Sequence, residues 1–297
     1  VECEIHRRRL EIGRTPLKVA GLWVSAVRRA APAALAVILA VAGGPAAAQR
    51  LPGPAPAVQS RATFDPAFAA WGRVLARCAG PRGFDYARLL QDRSDLDRAL
   101  TELGGVRPGE FEAFPRALQM AFLVNAHNAC AVHRVARRFP IRSIQDTARF
   151  GSALDQDDIF LLDRRWSLDR LRREILGERF RDARALFLLN WGMRGCPTLA
   201  DIPVTAANLE EMLERQTRAF VRDSQRNRYE RQGRRFLASP LLGDYRKELE
   251  RDFTTLWSFL KRYLPPEAAE PFARRPPRIE FLNLDETLND APTPKEG

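Results

Sequence analysis

The sequence predicts an α+β fold, a helix-rich single domain with a small antiparallel sheet, and three observations carry that reading. Arg116 to Arg138 holds an almost unbroken apolar stretch between two prolines, which is the pattern of a central helix surrounded by other elements. Four further segments are amphipathic at helical spacing. Two short apolar runs, Asp158 to Trp166 and Ala185 to Trp191, have the length of strands rather than helices. Of the 297 residues, 45% are hydrophobic and 29% charged, enough to fill a substantial core and to cover it. That balance excludes wholesale disorder and a multi-span membrane protein.

The first fifty residues differ from the rest. Arg28 and Arg29 precede an uncharged run from Ala30 to Gln49, in which Ala30 to Val41 is apolar. Gly43, Gly44 and Pro45 break the run, and Ala46-Ala47-Ala48 is a small-residue triplet. This is the order of a secretory signal, so residues 1–48 are expected to be a signal peptide cleaved near Ala48, and the mature protein periplasmic or secreted. A dozen apolar residues fall short of the roughly 20 that a spanning helix needs, so no spanning segment is expected after cleavage; an uncleaved anchor is the other reading. No cysteine follows the triplet, which argues against lipid attachment there. The region upstream of Val24 is unusual for a signal, and Val24 or Val27 is an alternative start to Val1.

Residues 49–60 carry three prolines and no periodicity and read as a linker; 61–290 are the domain and 291–297 a tail. Phe68 to Cys78 and Tyr86 to Leu103 are predicted helices split by Pro81-Arg82-Gly83. Arg116 to Arg138 follows Pro115, ends in Arg137-Arg138 and stops before Pro140. Asp158 to Trp166 turns at Asp163-Arg164-Arg165, and Ser167 caps a helix over Leu168 to Leu176. Ala185 to Trp191, closed by Gly192, is predicted as a buried strand. Ala207 to Phe220 and Tyr245 to Tyr263 are amphipathic helices, with a surface loop or hairpin over Arg222 to Arg235 between them. No internal repeat is present.

The net charge is +11, and only Lys18, Lys247, Lys261 and Lys295 are lysines. Arginine in place of lysine, with many Ala and Pro, is what a GC-rich genome writes, so the charge permits a polyanion without arguing for one. Removal of residues 1–48 takes away seven basic and three acidic side chains and leaves +7. The densest cluster lies between Arg215 and Arg235, eight arginines opposed only by Asp223 and Glu230. Weak contact with an anionic surface is the most such a solvated loop offers. Only Phe220 and Tyr229 are interleaved, so stacking on bases has no support, and export makes nucleic acid an implausible partner.

The mature chain keeps Cys78, Cys130 and Cys196 and two histidines, His127 and His133. Three cysteines allow one disulfide and a free thiol, or three thiols. There is no CxxC, and His127, Cys130 and His133 follow an i, i+3, i+6 spacing that is poor for a metal, so neither metal nor cofactor is expected. Cys196 is the nucleophile candidate. Gly195-Cys196-Pro197 is a tight turn that can present sulfur, and Arg194 supplies a nearby positive charge that favours thiolate. The base would be His133 or His127; a buried structural cysteine is the competing reading. Asn125 and Asn128 inside an apolar helix must be hydrogen-bonded. They either pin a loop or the Asp285 to Asn289 segment, or line a polar pocket.

Several collinear segments together resemble the domain of unknown function 547 family. They are Phe84-Asp85-Tyr86, Ala121 to Ala129, Ser143-Ile144, Ser167-Leu168-Asp169 with Ile175-Leu176, Arg184 to Leu199 ending in Gly195-Cys196-Pro197-Thr198-Leu199, Asp252-Phe253, and Leu284-Asp285-Glu286-Thr287-Leu288-Asn289. The resemblance implies a papain-like or transglutaminase-like fold and a Glu, His and Cys constellation, with no established activity. At the position of the family's Glu this chain has Arg172, and at that of its His it has Leu186. A second family cysteine is Trp191 here, and a tyrosine in the asparagine helix is His127. Cys196, Asn125, Asn128 and Asp285 keep the pattern.

Two functions follow as expectations. The first is an exported binding or accessory protein with a degenerate thiol-enzyme-like site, acting on an unknown ligand or envelope protein through Asn125, Asn128, Asp285 and Arg194. The second is an active cysteine-dependent hydrolase or acyltransferase using Cys196 with His133 or His127.

Overall fold

The stretch after Pro115 folds as one 21-residue helix, Arg116–Ala136, buried from Gln119 along most of its circumference. Its apolar surface needs cover on several sides, and two helices supply part of it: Ser94–Gly105 and Leu168–Leu176 both pack against it. The computed structural model describes residues 63–230, 234–272 and 275–291, all within one compact unit over 58–297. The expected signal peptide, the linker and the tail beyond Ala291 lie outside the described residues.

Local chemistry sets the other helices. Ala69–Cys78 and Leu209–Arg222 form where the amphipathic pattern places them. Ser167 starts Leu168–Leu176 by accepting a hydrogen bond from the Arg170 amide at 3.1 Å. Two segments that periodicity predicts as single helices are each broken in two. Tyr86–Gln91 and Ser94–Gly105 are separated because the Asp92 carboxylate takes the Ser94 amide at 2.9 Å, a side-chain bond that competes with the helical ladder. Arg246–Phe253 and Leu256–Tyr263 are separated by Thr254, at φ 70°, and by Thr255, whose hydroxyl caps the Ser258 amide at 3.0 Å.

The strand content is small and distributed. Ile159–Leu161 and Arg164–Trp166 form an antiparallel hairpin, as do the two-residue strands Ala79–Gly80 and Gly83–Phe84. The third sheet is mixed: Arg228–Glu230 and Arg235–Ala238 run antiparallel, and Arg278–Phe281 joins Arg235–Ala238 in parallel. The buried run after Asp182 is not a strand. Ala183–Leu188 is a 3₁₀ turn started by the Asp182 carboxylate on the Arg184 amide, and irregular backbone follows. Its polar groups find a side chain instead of a sheet ladder: Asn128 donates to the Leu188 carbonyl at 2.9 Å and accepts from the Asn190 amide at 3.0 Å.

The segment 284–291 crosses the domain as a strap. The amides of Arg194 and Gly195 donate to the carbonyls of Thr287 and Asp285, at 2.9 and 2.8 Å, and the Asn289 amide donates to the Gly192 carbonyl at 3.0 Å. On the other side the Phe84 amide donates to the Asn289 carbonyl, and the Ala291 amide returns to Phe84. Two glycines admit this approach. A Cβ on Gly83, at φ +135°, would lie 2.0 Å from the Asn289 carbonyl oxygen, and one on Gly195 would lie 2.5 Å from Leu284 Cδ1.

A candidate ligand cleft in front of Cys196

The strap, the turn 190–199 and the start of the helix Pro240–Asp244 enclose a cleft of about 670 Å³. Its wall includes Cys196, Arg194 and Asp285 from the sequence-derived candidates, together with Asn190, Arg226, Asn289 and Asp290. Buried amides hold the wall. Asn289 donates from Nδ2 to Asn190 Oδ1 at 3.1 Å and accepts from the Tyr86 hydroxyl at 2.9 Å. Asn190 donates to the Pro197 carbonyl at 2.7 Å and accepts from the Gly192 amide at 2.8 Å. Each of these amides is bonded through both its oxygen and its nitrogen, which buried polar groups require.

Cys196 touches the cleft but is 0% exposed. Burial pushes its thiol up to about 12, against the opposing pull of the Trp191 and Met193 amides and of Arg226 and Arg172. The tight turn through Gly195 serves the strap, since the space a Cβ would need belongs to Leu284 and Asp285. Cys78, Cys130 and Cys196 are all free thiols.

The two histidines lie elsewhere. His127 is 1% exposed; burial holds its imidazole neutral, with a pKa down to about 3, and Nδ1 faces Asn128 Oδ1 at 3.2 Å. His133 lines a different cavity from Cys196 and stands with Nδ1 3.2 Å from Arg93 Nη2. Among the described residues no hydrogen bond joins Cys196 to an imidazole. Asn125 is bonded in both directions to the backbone of Val204, at 2.6 and 3.2 Å, so it pins a loop. Asn128 pins Leu188 and Asn190, and through Asn190 it reaches the strap.

Three of the four positions at which the resemblance expects another residue, Arg172, Trp191 and His127, come together. The Arg172 guanidinium pairs with Asp169 and lies 5.1 Å from the Trp191 ring centroid, and the Trp191 ring meets His127 edge-on at 6.4 Å. Leu186 and Trp191 are both buried. Arg172, Trp191 and His127 thus form a linked cation–aromatic cluster.

The roles of Asn190, Asn289, Tyr86 and Asp290 are not apparent from the sequence reading. Asn190 carried a signal, a lone amide in an apolar run, which is the feature that singles out Asn125 and Asn128. Asp290 shows its interest only in three dimensions. Its Oδ1 is buried without a hydrogen-bond partner, and burial raises its carboxyl above the ordinary range. Among the described residues no group of three or more His, Cys, Asp or Glu side chains is arranged to hold a metal. No described helix is long and apolar enough to cross a membrane.

A family model described as "Protein of unknown function, DUF547" matches residues 111–221. No curated protein and no solved structure matches the chain.

Proposed function

Since this chain is a DUF547 domain-containing protein, we propose that it is exported and works as a binding or accessory protein. A small polar ligand would enter the cleft walled by Arg194, Asp285 and Asp290. The site keeps the position of a thiol nucleophile without its chemistry. The observation that carries this reading is the state of Cys196: a fully buried thiol whose ionisation burial opposes, with no imidazole bonded to it among the described residues. A general base must be within hydrogen-bond reach of the proton it takes, and His127 and His133 both bond elsewhere. The wall still offers recognition groups of both signs. Arg194 has no carboxylate ion pair among the described residues, and Asp290 holds a buried oxygen without a partner.

Dipeptides, which carry both charges and amide groups, are suitable probes. Thermal-shift measurement on the processed protein should find dipeptides that raise the melting temperature, with the shift lost in Arg194→Glu and kept in Cys196→Ala. A ligand that is turned over, with turnover abolished by Cys196→Ala, would overturn the binding reading. It would favour the cysteine-dependent hydrolase or acyltransferase, whose support is that Cys196 borders the cleft and lies under the influence of Arg226 and Arg172. Export is supported by the basic, apolar and small-residue order before Gln49. N-terminal sequencing of processed protein from the periplasmic fraction should begin near Gln49; an intact leader in the cytoplasm would reject it.

A further inference from the structure

A second cavity, of about 400 Å³, lies between the helix Ser94–Gly105, the C-terminal half of Arg116–Ala136 and the strand Ile159–Leu161. It is separate in its lining from the Cys196 cleft and plays no part in the function proposed above. One wall is apolar: Leu100, Leu103, Ala126, Ile159 and Leu161. Phe160 stands on the same rim with 60% of its surface exposed, a large aromatic left in water beside an open apolar hollow. The other wall is cationic through Arg134, Arg137 and Arg138, with the His133 ring beside them.

The charges there do not cancel. Arg134 is buried and satisfied, paired with Asp158 and bonded to the Ala153 carbonyl. Guanidinium groups only donate, so His133 Nδ1 accepts from Arg93 and the ring proton sits on Nε2 of a neutral imidazole. Arg137 and Arg138 are exposed and have no ion-pair partner among the described residues. Arg137 caps the C-terminus of the Arg116–Ala136 helix and Arg138 follows it, at a carbonyl end that carries about half a negative charge. Two guanidinium groups exceed that by more than a full charge, and the surplus faces a cavity with an apolar floor. A volume of this size lies within the range of small-molecule sites.

We propose that this cavity binds a free single-chain fatty carboxylate, with the chain along Leu100, Leu103, Ile159 and Phe160 and the carboxylate at Arg137 and Arg138. An uncharged amphiphile would lack the ion pair, and a cationic one would meet repulsion.

Calorimetric titration of the full chain with octanoate, decanoate and dodecanoate, each below its micelle concentration, tests the assignment. Affinity should rise about fourfold with each added methylene while the chain is still being buried. The double variant Arg137→Glu/Arg138→Glu, altered only at exposed positions, should lose at least tenfold in decanoate affinity while leaving 1-octanol binding unchanged. Leu100→Glu should weaken decanoate independently, through the apolar wall. The proposal is overturned if decanoate does not bind, or if it binds the double variant as tightly as the parent chain. Binding to phosphatidylglycerol vesicles without binding to monomeric decanoate would also overturn it, in favour of a membrane surface.

Discussion

Asn190 and Asn289 are 99 residues apart in the chain and share a buried hydrogen bond, Nδ2 of Asn289 donating to Oδ1 of Asn190 at 3.1 Å. That side-chain contact adds to the backbone bonds by which the turn around Cys196 holds the strap, from Arg194 and Gly195 to Thr287 and Asp285 and from Asn289 to Gly192. Through the Asn190 amide it is continuous with Asn128 on the central helix, and through Asn289 Oδ1 with Tyr86.

Removing one end of this contact strands several partners at once. Asn190→Ala would leave the Gly192 amide, the Pro197 carbonyl and Asn289 Nδ2 without their partners, each buried group costing about 1–3 kcal/mol. A loss of about 3 kcal/mol or more in urea unfolding is expected. A change below about 1 kcal/mol would mean that water replaces the side chain.

Gly195 is held small by the strap. Gly195→Ala should destabilise the domain by about 1–3 kcal/mol, because the new methyl must displace Leu284 and the Asp285 backbone. Gly109, in the helix Pro108–Ala113, has open space at its Cβ position. Gly109→Ala should therefore be neutral or stabilise by about 0.5 kcal/mol, through the unfolded chain's lost freedom. Thermal unfolding of the pair separates a steric cause from a general sensitivity to substitution.

His127 makes the fold sensitive to acid. Its folded pKa is lowered to about 3 by burial, so between roughly pH 6.5 and 3 the unfolded chain binds a proton that the folded chain does not. Stability is fully present above the unfolded pKa and is lost as pH falls through that window, by an amount on the order of 4 kcal/mol. His127→Gln should flatten the acid limb of the stability profile; an unchanged limb would remove His127 as its cause.

Cys196 has the opposite sign. Its folded pKa is raised to about 12, so the neutral thiol's contribution is complete below about pH 8.5 and declines as pH rises toward 12, because the unfolded chain ionises first. Native labelling by a thiol reagent should leave Cys196 unmodified at pH 7 and reach it only after urea unfolding. Mass spectrometry of the labelled peptides reads this directly. Modification of the folded protein at pH 7 would contradict the buried, protonated thiol.

Much of the scaffold was legible in the sequence for a local reason. Leu168–Leu176 follows from Ser167 and its own periodicity, and Ile159–Leu161 from its apolar run, whereas Arg164 and Arg165, read as a turn, belong to the strand Arg164–Trp166 that pairs back onto it. The central helix needed only its apolar run and flanking prolines. The readings that changed involve partners distant in sequence. Nothing local to Ala185–Trp191 reveals that Asn128 supplies the bonds a neighbouring strand would have made. Two helix breaks were missed because one side-chain oxygen, on Asp92 or Thr255, outweighs an otherwise continuous pattern.

The candidate site divides in the same way. Composition, the scarcity of histidine and the collinear motifs determined which residues could matter: Cys196, two imidazoles, buried amides and an acidic segment near the C-terminus. Only the tertiary structure decided that Cys196 is sealed, that His133 lines another cavity, and that Asn190, Asn289 and Asp290 wall the cleft. The physical reason is that periodicity and motif spacing act over a few residues. Burial, the desolvation of a thiol and the meeting of two amides across 99 residues depend on how the chain closes on itself.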